Sequence, residues 1–424
     1  MICVGCVTPE PLKTFVSAKD TKGICRYCGG DNLAVDAKTL FDHILQRVDE
    51  NVAVEDDLSH FELGMLYDCG SDDISVADIE IVLAEWMDLG EEKYFDDLLK
   101  FVPKEYFKNE SGHDMHFYGD DGTLEQNIFE ARWNQFVAEI RHSHRFFNPN
   151  ARGFLESLFS FLSAPDGMLK QECVRIVPKG EELYRARAAH SFDDARKMKN
   201  DPVSQFGLAP KDMVGSQRMT PNGIPALYCA FERETCLSEI RSITGDNVVS
   251  IALTPTTQLR LLDLTKLEHV KGPATDLLDV GHRESVHLHA FVRYLVKKMS
   301  RPKGRGDELI YLSSQVVFEF LRLKFASQVH GLVFPSVQTG EKGTNLVLFP
   351  EFCSVSKDVH TPPDELEKVF GSPPEKILEK QAMLACVAGS IRFHKVKAIV
   401  TEAEEHTHIN NLYMSDLDRS RLYF

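Results

Sequence analysis

Apolar residues recur at three- and four-residue spacing from about Asp36 to Leu162, and beyond a link at 163–167 the character changes. Leu40, Phe41, Ile44, Leu45 and Val48 fall on one helical face, with Asp36 placed ahead of them as an N-cap. Ser75 with Asp78 has the spacing of a capping box before Ile79, Val82, Leu83 and Trp86. Two more stripes, Phe129, Trp133, Phe136, Val137, Ile140 and then Phe154, Leu155, Leu158, Phe159, Leu162, predict helices whose aromatics build core rather than a cofactor box. Residues 36–162 therefore read as helical. Ser163-Ala164-Pro165-Asp166-Gly167 is a breaker-rich link, and short runs of β-formers follow it at 182–187, 226–230, 248–253, 332–334 and 346–349. Helical stretches lie between them near 234–242, 282–299 and 313–325. Strands and helices mixed without regular βα alternation predict an α+β domain with a split, mostly antiparallel sheet. Residues 361–379, polar and proline-bearing, predict a surface excursion before a last strand around 391–400.

Charge divides the 424-residue chain at nearly the same place. Residues 1–150 carry 30 acidic and 13 basic side chains, a balance of -17, whereas the remainder carries 34 and 35, a balance of +1. Nucleic-acid binding draws on a basic face, so the acidic front half disfavours a DNA or RNA partner and reads as a solubilising surface. The N-terminus lacks a basic stretch followed by an apolar one, and no apolar run reaches the roughly 18 residues of a membrane span. A cytoplasmic protein is the expectation, and the singly scattered members of its ten cysteines read as reduced thiols.

Four cysteines are not scattered. Cys3-Val-Gly-Cys6 and Cys25-Arg-Tyr-Cys28 are two CxxC pairs separated by eighteen residues, the second followed by Gly29-Gly30. That spacing predicts a zinc ribbon over residues 1–34, because two such turns close a four-sulfur shell with no position left for substrate. The zinc would be structural, holding together about thirty residues too few to build a core alone. His113, His116, His142 and His144 carry no comparable pattern: two lie two apart, and two sit between Gly112 and Gly119 in what reads as a loop.

Three stretches of the second half belong together. They are Leu183-Tyr184-Arg185-Ala186-Arg187; Gly215-Ser-Gln-Arg218-Met-Thr-Pro221-Asn222-Gly223-Ile-Pro225-Ala-Leu-Tyr228, running on to Glu234-Thr235-Cys-Leu-Ser-Glu239; and Gly331-Leu-Val-Phe-Pro335-Ser336 followed by Gly343-Thr-Asn345-Leu-Val-Leu-Phe349. In this order they closely resemble the RES family, named for an arginine, a glutamate and a serine spread along its domain. The likeness covers residues 170–400, within a domain running over 170–424 with a C-terminal extension. The resemblance places the family's arginine on Arg185, with Arg187 as the alternative on the same strand face, its glutamate on Glu239 and its serine on Ser336. Arg218 and Tyr228 match two further positions. Where the family often reads Gly-Arg-x-Asn this chain has Gln217-Arg218-Met219-Thr220, a threonine in the asparagine place. Tyr311 and Gln315 resemble a stretch before the serine strand and receive no role.

The resemblance implies a fold like that of ADP-ribosyltransferase toxins and an enzyme that consumes NAD. Such an enzyme would break the nicotinamide-ribose bond by hydrolysis or phosphorolysis, with water or inorganic phosphate as acceptor. Catalysis would fall to Arg185, Glu239, Ser336 and Tyr228, and NAD binding to Arg185, Arg218, Tyr228 and Ser336. Leaving nicotinamide creates an oxocarbenium-like ribose, which a carboxylate at Glu239 would stabilise. Guanidinium forks at Arg185 and Arg218 suit the pyrophosphate, and Tyr228 offers nicotinamide a flat face. Ser336 would donate to a phosphate or position the acceptor. An NAD-depleting toxin of a toxin-antitoxin or phage-defence system is the leading expectation, restrained by a separate antitoxin or regulatory partner, by the helical half, or by self-association into a homo-oligomer. Transfer of ADP-ribose to a protein, or an inactive RES module acting as a binding protein, are the alternatives. Residues 35–166 bear a weaker likeness to a HEPN-related helical domain that precedes RES domains; its nuclease pattern of arginine and histidine is not met, and a regulatory role is expected.

Overall fold

The computed structural model describes residues 1–60, 62–64, 75–120, 122, 127–270, 276–300, 309, 311–340, 342–357 and 382–398. The polar segment 361–379 lies outside the described residues. The chain divides into two units, one built on residues 1–133 and 271–294, the other on 134–270 and the described residues from 295 onward.

In the first unit, β1 (Ile2–Cys3), β2 (Lys22–Ile24) and β3 (Asp31–Val35) pair in the order β1-β3-β2, with α1 (Glu10–Ala18) between the first two strands in sequence. The helix α2 (Ala37–Asn51) starts where expected, and the Asp36 carboxylate accepts the Lys38 N–H at 3.0 Å. Its apolar face joins Leu12 and Val16 of α1 and the sulfurs of Cys3, Cys6 and Cys25 in one buried cluster. The cysteine-bearing segment therefore shares its core with the helices, instead of depending on a metal for all of its interior.

Two expectations for this half need correction. Residues 36–162 are not wholly helical, because β4 (Ala53–Val54), β5 (Val76–Ala77) and β6 (Phe117–Tyr118) form a second sheet in the order β4-β6-β5. Strands of two residues are too short to leave a period in the sequence. Nor do Ser75 and Asp78 act as a capping box: Asp78 is itself the cap, its side chain accepting the Ile81 N–H at 2.9 Å. The helix it starts lasts one turn, Ile79–Ile81, and widens into a π turn over Val82–Trp86.

A buried carboxylate organises the other end of this unit. Asp120 Oδ2 accepts from Arg283 Nε, Arg283 Nη2 and His287 Nε2, each at 2.8 Å, and Oδ1 accepts the Gly122 N–H at 2.9 Å. The Ile128 N–H points at His287 Nδ1 from 3.3 Å, which places the ring proton on Nε2, toward the carboxylate. Burial pushes the Asp120 carboxyl up, but the His287 hydrogen bond, with Gly122 and Arg283, outweighs it and holds the group below its ordinary value.

The second unit holds one mixed sheet of ten strands: β7 (Val174–Val177), β8 (Leu183–Ala188), β9 (Leu227–Ala230), β10 (Asn247–Pro255), β11 (Leu259–Asp263), β12 (Gly331–Ser336), β13 (Gly343–Leu348), β14 (Val355–Ser356), β15 (Leu384–Cys386) and β16 (Arg392–Lys395). The order is β14-β15-β10-β8-β9-β13-β12-β11-β7, with β16 also on β10. Only β11 with β12 and β14 with β15 run parallel among these pairs, so the mostly antiparallel expectation holds. β10 is buried along nearly its whole length and paired on both sides, which explains its unbroken apolar run. All five strand segments and the helices α3 (Arg233–Glu239), His282–Ser300 and α4 (Leu312–Phe325) stand where the sequence placed them, within a few residues. β7, β11, β14 and β15 were not foreseen.

The expected split is present as a near-parting rather than a break. β8 pairs with β10 over six residues, from Leu183↔Leu253 to Val248↔Ala188, yet it meets β9 through Tyr184↔Ala230 alone. Beyond that pair the two strands share no register, and the Arg185 side chain reaches from β8 to the Tyr228 carbonyl of β9.

Replacing Asp120 by alanine leaves the Arg283 and His287 donors without their carboxylate, and should cost about 3–5 kcal/mol of unfolding free energy at neutral pH. Because the folded carboxyl is held below its unfolded value, its stabilisation is complete above about pH 4 and is lost as pH falls through the folded value. Denaturant titrations at pH 7 and pH 3 should show the difference between wild type and variant shrinking in acid. Equal midpoints at pH 7 would refute the assignment.

Candidate active site

The first unit carries a thiol centre. The sulfurs of Cys3, Cys6, Cys25 and Cys28 all lie within 4.8 Å of one another, with Cys3 to Cys28 at 3.5 Å and Cys6 to Cys25 at 3.8 Å. Tetrahedral coordination with metal-sulfur bonds of about 2.3 Å spaces sulfurs roughly 3.8 Å apart, so these four thiols could hold a metal ion. The second turn is closed by Cys25 N–H to Gly30 O and Gly29 N–H to Cys25 O, both 2.9 Å, and Gly29 takes the left-handed conformation that glycine tolerates. No other group of metal-ligating side chains is found among the described residues. His116 instead lies 3.1 Å from Glu55, and His113, His142 and His144 are exposed.

The second unit carries a cavity of about 410 Å³ at the parting of β8 and β9. Tyr184, Arg185, Arg218, Tyr228, Glu239 and Asn345 are among its walls. Arg185 and Glu239 thus converge on one cleft, as the sequence required, and so do Arg218 and Tyr228. Arg187 does not line it: its guanidinium reaches the Gln205 carbonyl on the exposed side.

Arg185 crosses the gap, donating from Nη1 to the Tyr228 carbonyl at 2.7 Å. Its Nε is buried and has no hydrogen-bond partner among the described residues. Burial pulls this guanidinium below its ordinary value, yet arginine keeps its charge, so the unmet donor calls for an anion. Tyr228 is anchored by the Met219 N–H, 3.1 Å from its hydroxyl, and burial pushes its phenol up to about 12. The phenol therefore stays neutral at physiological pH. Arg218 sits over the Phe334 ring at 6.0 Å.

The loop bearing Arg218 is held by the first turn of α4. Gln315 Nε2 lies 2.9 Å from Ser216 Oγ, 2.8 Å from Gln217 O and 3.2 Å from Thr220 O, and Ser314 Oγ donates to Arg218 O at 2.6 Å. Thr220, the residue that departs from the family pattern, is fully buried and does not reach the cavity.

Glu239 ends α3, and its Oε1 accepts from Ser336 Oγ at 2.6 Å and Asn345 Nδ2 at 2.6 Å. Ser336, expected to meet a phosphate or the acceptor, is 0% exposed and absent from the cavity wall. Its hydroxyl is committed to the glutamate. Asn345 and Gln315 were not assigned roles from sequence, although Asn345 stood inside the third stretch that carries the resemblance and Gln315 in the stretch before the serine strand. Arg241, also in the wall, gave no sequence signal at all.

Residues 182–367 match the family model of the RES domain. This segment is a RES domain. RES domains act on NAD and are ADP-ribosyltransferase-like, which supports an NAD-related enzymatic function for this segment in that broad sense. The four site residues Arg185, Tyr228, Glu239 and Ser336 all lie within the matched RES segment. No curated protein matches the chain. No helix among the described residues is long and apolar enough to cross a membrane.

The thiol centre predicts one metal ion per chain. Elemental analysis of purified protein should find about one equivalent, and Cys25→Ser or Cys6→Ser should abolish it and lower the thermal midpoint. Full-strength folding of both variants without metal would show the four sulfurs to be mere neighbours.

Proposed function

We propose that this protein cleaves the nicotinamide-ribose bond of NAD. The observation that carries the reading is the cleft itself: a carboxylate with one oxygen unpartnered among the described residues, a half-buried arginine whose buried Nε has no partner among them, a second guanidinium and a neutral phenol face one another across the parting of the sheet. In the reaction the C1′–N bond breaks, both electrons leave with nicotinamide, and the ribose becomes positively charged. An acceptor oxygen, from water or inorganic phosphate, then bonds to C1′ and releases its proton to solvent.

Glu239 would face the developing cation, where a fixed negative charge in a partly dehydrated cleft stabilises the transition state more than the ground state. Arg185 and Arg218 would take the pyrophosphate, and Tyr228 would pack against nicotinamide. Ser336 serves through Glu239 and not by touching substrate. In the first unit, we assign a structural zinc to Cys3, Cys6, Cys25 and Cys28, because four thiols leave no open coordination position for chemistry. An enzyme that drains NAD harms its own cell, which supports reading it as a toxin or defence enzyme kept in check by a partner.

Purified protein mixed with NAD should release nicotinamide. Arg185→Ala and Glu239→Ala should each lower the rate by about 10²-fold or more while leaving the folded spectrum intact. Products analysed with and without phosphate identify the acceptor, and labelled NAD that marks a protein instead of yielding small products would turn the reading toward ADP-ribosyl transfer. Saturable NAD binding with no nicotinamide above a blank would refute cleavage.

A further inference from the structure

Glu239 is gripped by one oxygen only. Both donors, Ser336 Oγ and Asn345 Nδ2, point to Oε1, and Oε2 has no hydrogen-bond partner among the described residues. The donors come from adjacent antiparallel strands. In the β12–β13 register Phe334 faces Asn345 and Ser336 faces Gly343, so Ser336 and Asn345 project from the same side of the sheet, on a diagonal. Helix α3 lies on that side at a place that a side chain would block. A Cβ at Gly343 would stand 2.0 Å from Thr235 Oγ1, in the first half of α3.

The chemistry of the two donors is selective. Both are neutral, so they fix the carboxylate without cancelling the charge it needs against a ribosyl cation. A lysine in either place would neutralise it, and an apolar residue would remove one of the two hydrogen bonds that hold Oε1. Ser336 is 0% and Asn345 5% exposed, so water does not easily take over from either.

We propose that Asn345 is a positioning residue: with Ser336 it locks Oε1 of Glu239 so that Oε2 is the oxygen presented to the ribose, while Gly343 sets how closely α3 may approach. The inference rests on the NAD-cleavage reading and adds to it which oxygen acts and what aims it. A carboxylate misplaced by about 1 Å can cost on the order of 10²-fold in rate with little change in affinity.

The test is steady-state nicotinamide release by the full chain. Asn345→Ala should lower kcat by about tenfold or more with KM for NAD within about threefold, and Gly343→Ala should do the same although it touches neither substrate nor Glu239. Asn345→Asp supplies the readout that a purely structural role would not move. At neutral pH it sets two carboxylates against each other and should be slower than Asn345→Ala. As pH falls toward 5 the pair shares one proton, the new carboxyl donates to Oε1, and the rate should recover relative to Asn345→Ala. The guanidinia, phenols and thiols that also line the cavity ordinarily titrate above that window. Turnover of the Asn345 variants within twofold of wild type, a rise in KM alone, or no recovery of Asn345→Asp in acid would each overturn the proposal while the NAD reading stands. A wild type that releases no nicotinamide would overturn both.

Discussion

The cleft depends on one economy of the sheet: β8 and β9 are neighbours that share a single residue pair, Tyr184↔Ala230. Fully paired strands stand about 4.8 Å apart and leave no room for a ligand between their side chains. Here β8 is held in place from the other side, by six pairs with β10, and β9 by four with β13. Each of the two strands is thus laddered on its far side, and the cavity lies at the junction between them. Arg185 partly closes the gap by donating to the Tyr228 carbonyl, and keeps one buried donor unspent.

What surrounds the cleft is arranged in support of that opening. Gln315 and Ser314, from the first turn of α4, hold the carbonyls of the loop that carries Arg218, so a guanidinium sits at the cavity on a loop with little freedom. Glu239 arrives from the end of a seven-residue helix that is too short to be rigid alone. The close approach at Gly343 and the Ser336 and Asn345 hydrogen bonds hold it against the sheet. Ser336 therefore lies beneath the glutamate, hydrogen-bonded to it and outside the cavity wall.

The first unit shows the same division between local chemistry and shared packing. Two CxxC turns gather four sulfurs, but the residues around them are buried against α1 and α2. A metal there would tie together a segment that is already part of a larger core. The Asp120 network shows the other way of tying distant segments, with one buried carboxylate accepting from Arg283 and His287 more than 160 positions away.

Much of this could be read from residue order alone. Period and punctuation located the helix after Asp36, the α+β character of the second half and five of its strands, because amphipathic period and turn chemistry are local properties. The doubled CxxC foretold a thiol cluster, since the geometry of each turn is set within four residues. The resemblance of three ordered stretches brought Arg185, Arg218, Tyr228 and Glu239 to one cleft. Other features had no local trace. Choosing Arg185 over Arg187 needed the strand's neighbours, because the two share a face and differ only in what lies beside them. The two-residue strands β4, β5 and β6 carry no period. Asn345 looks like any polar residue in a strand until β12 and α3 are in place. That Ser336 is buried against Glu239 and outside the cavity wall depends on the whole sheet and the helix upon it, and no stretch of sequence contains that by itself.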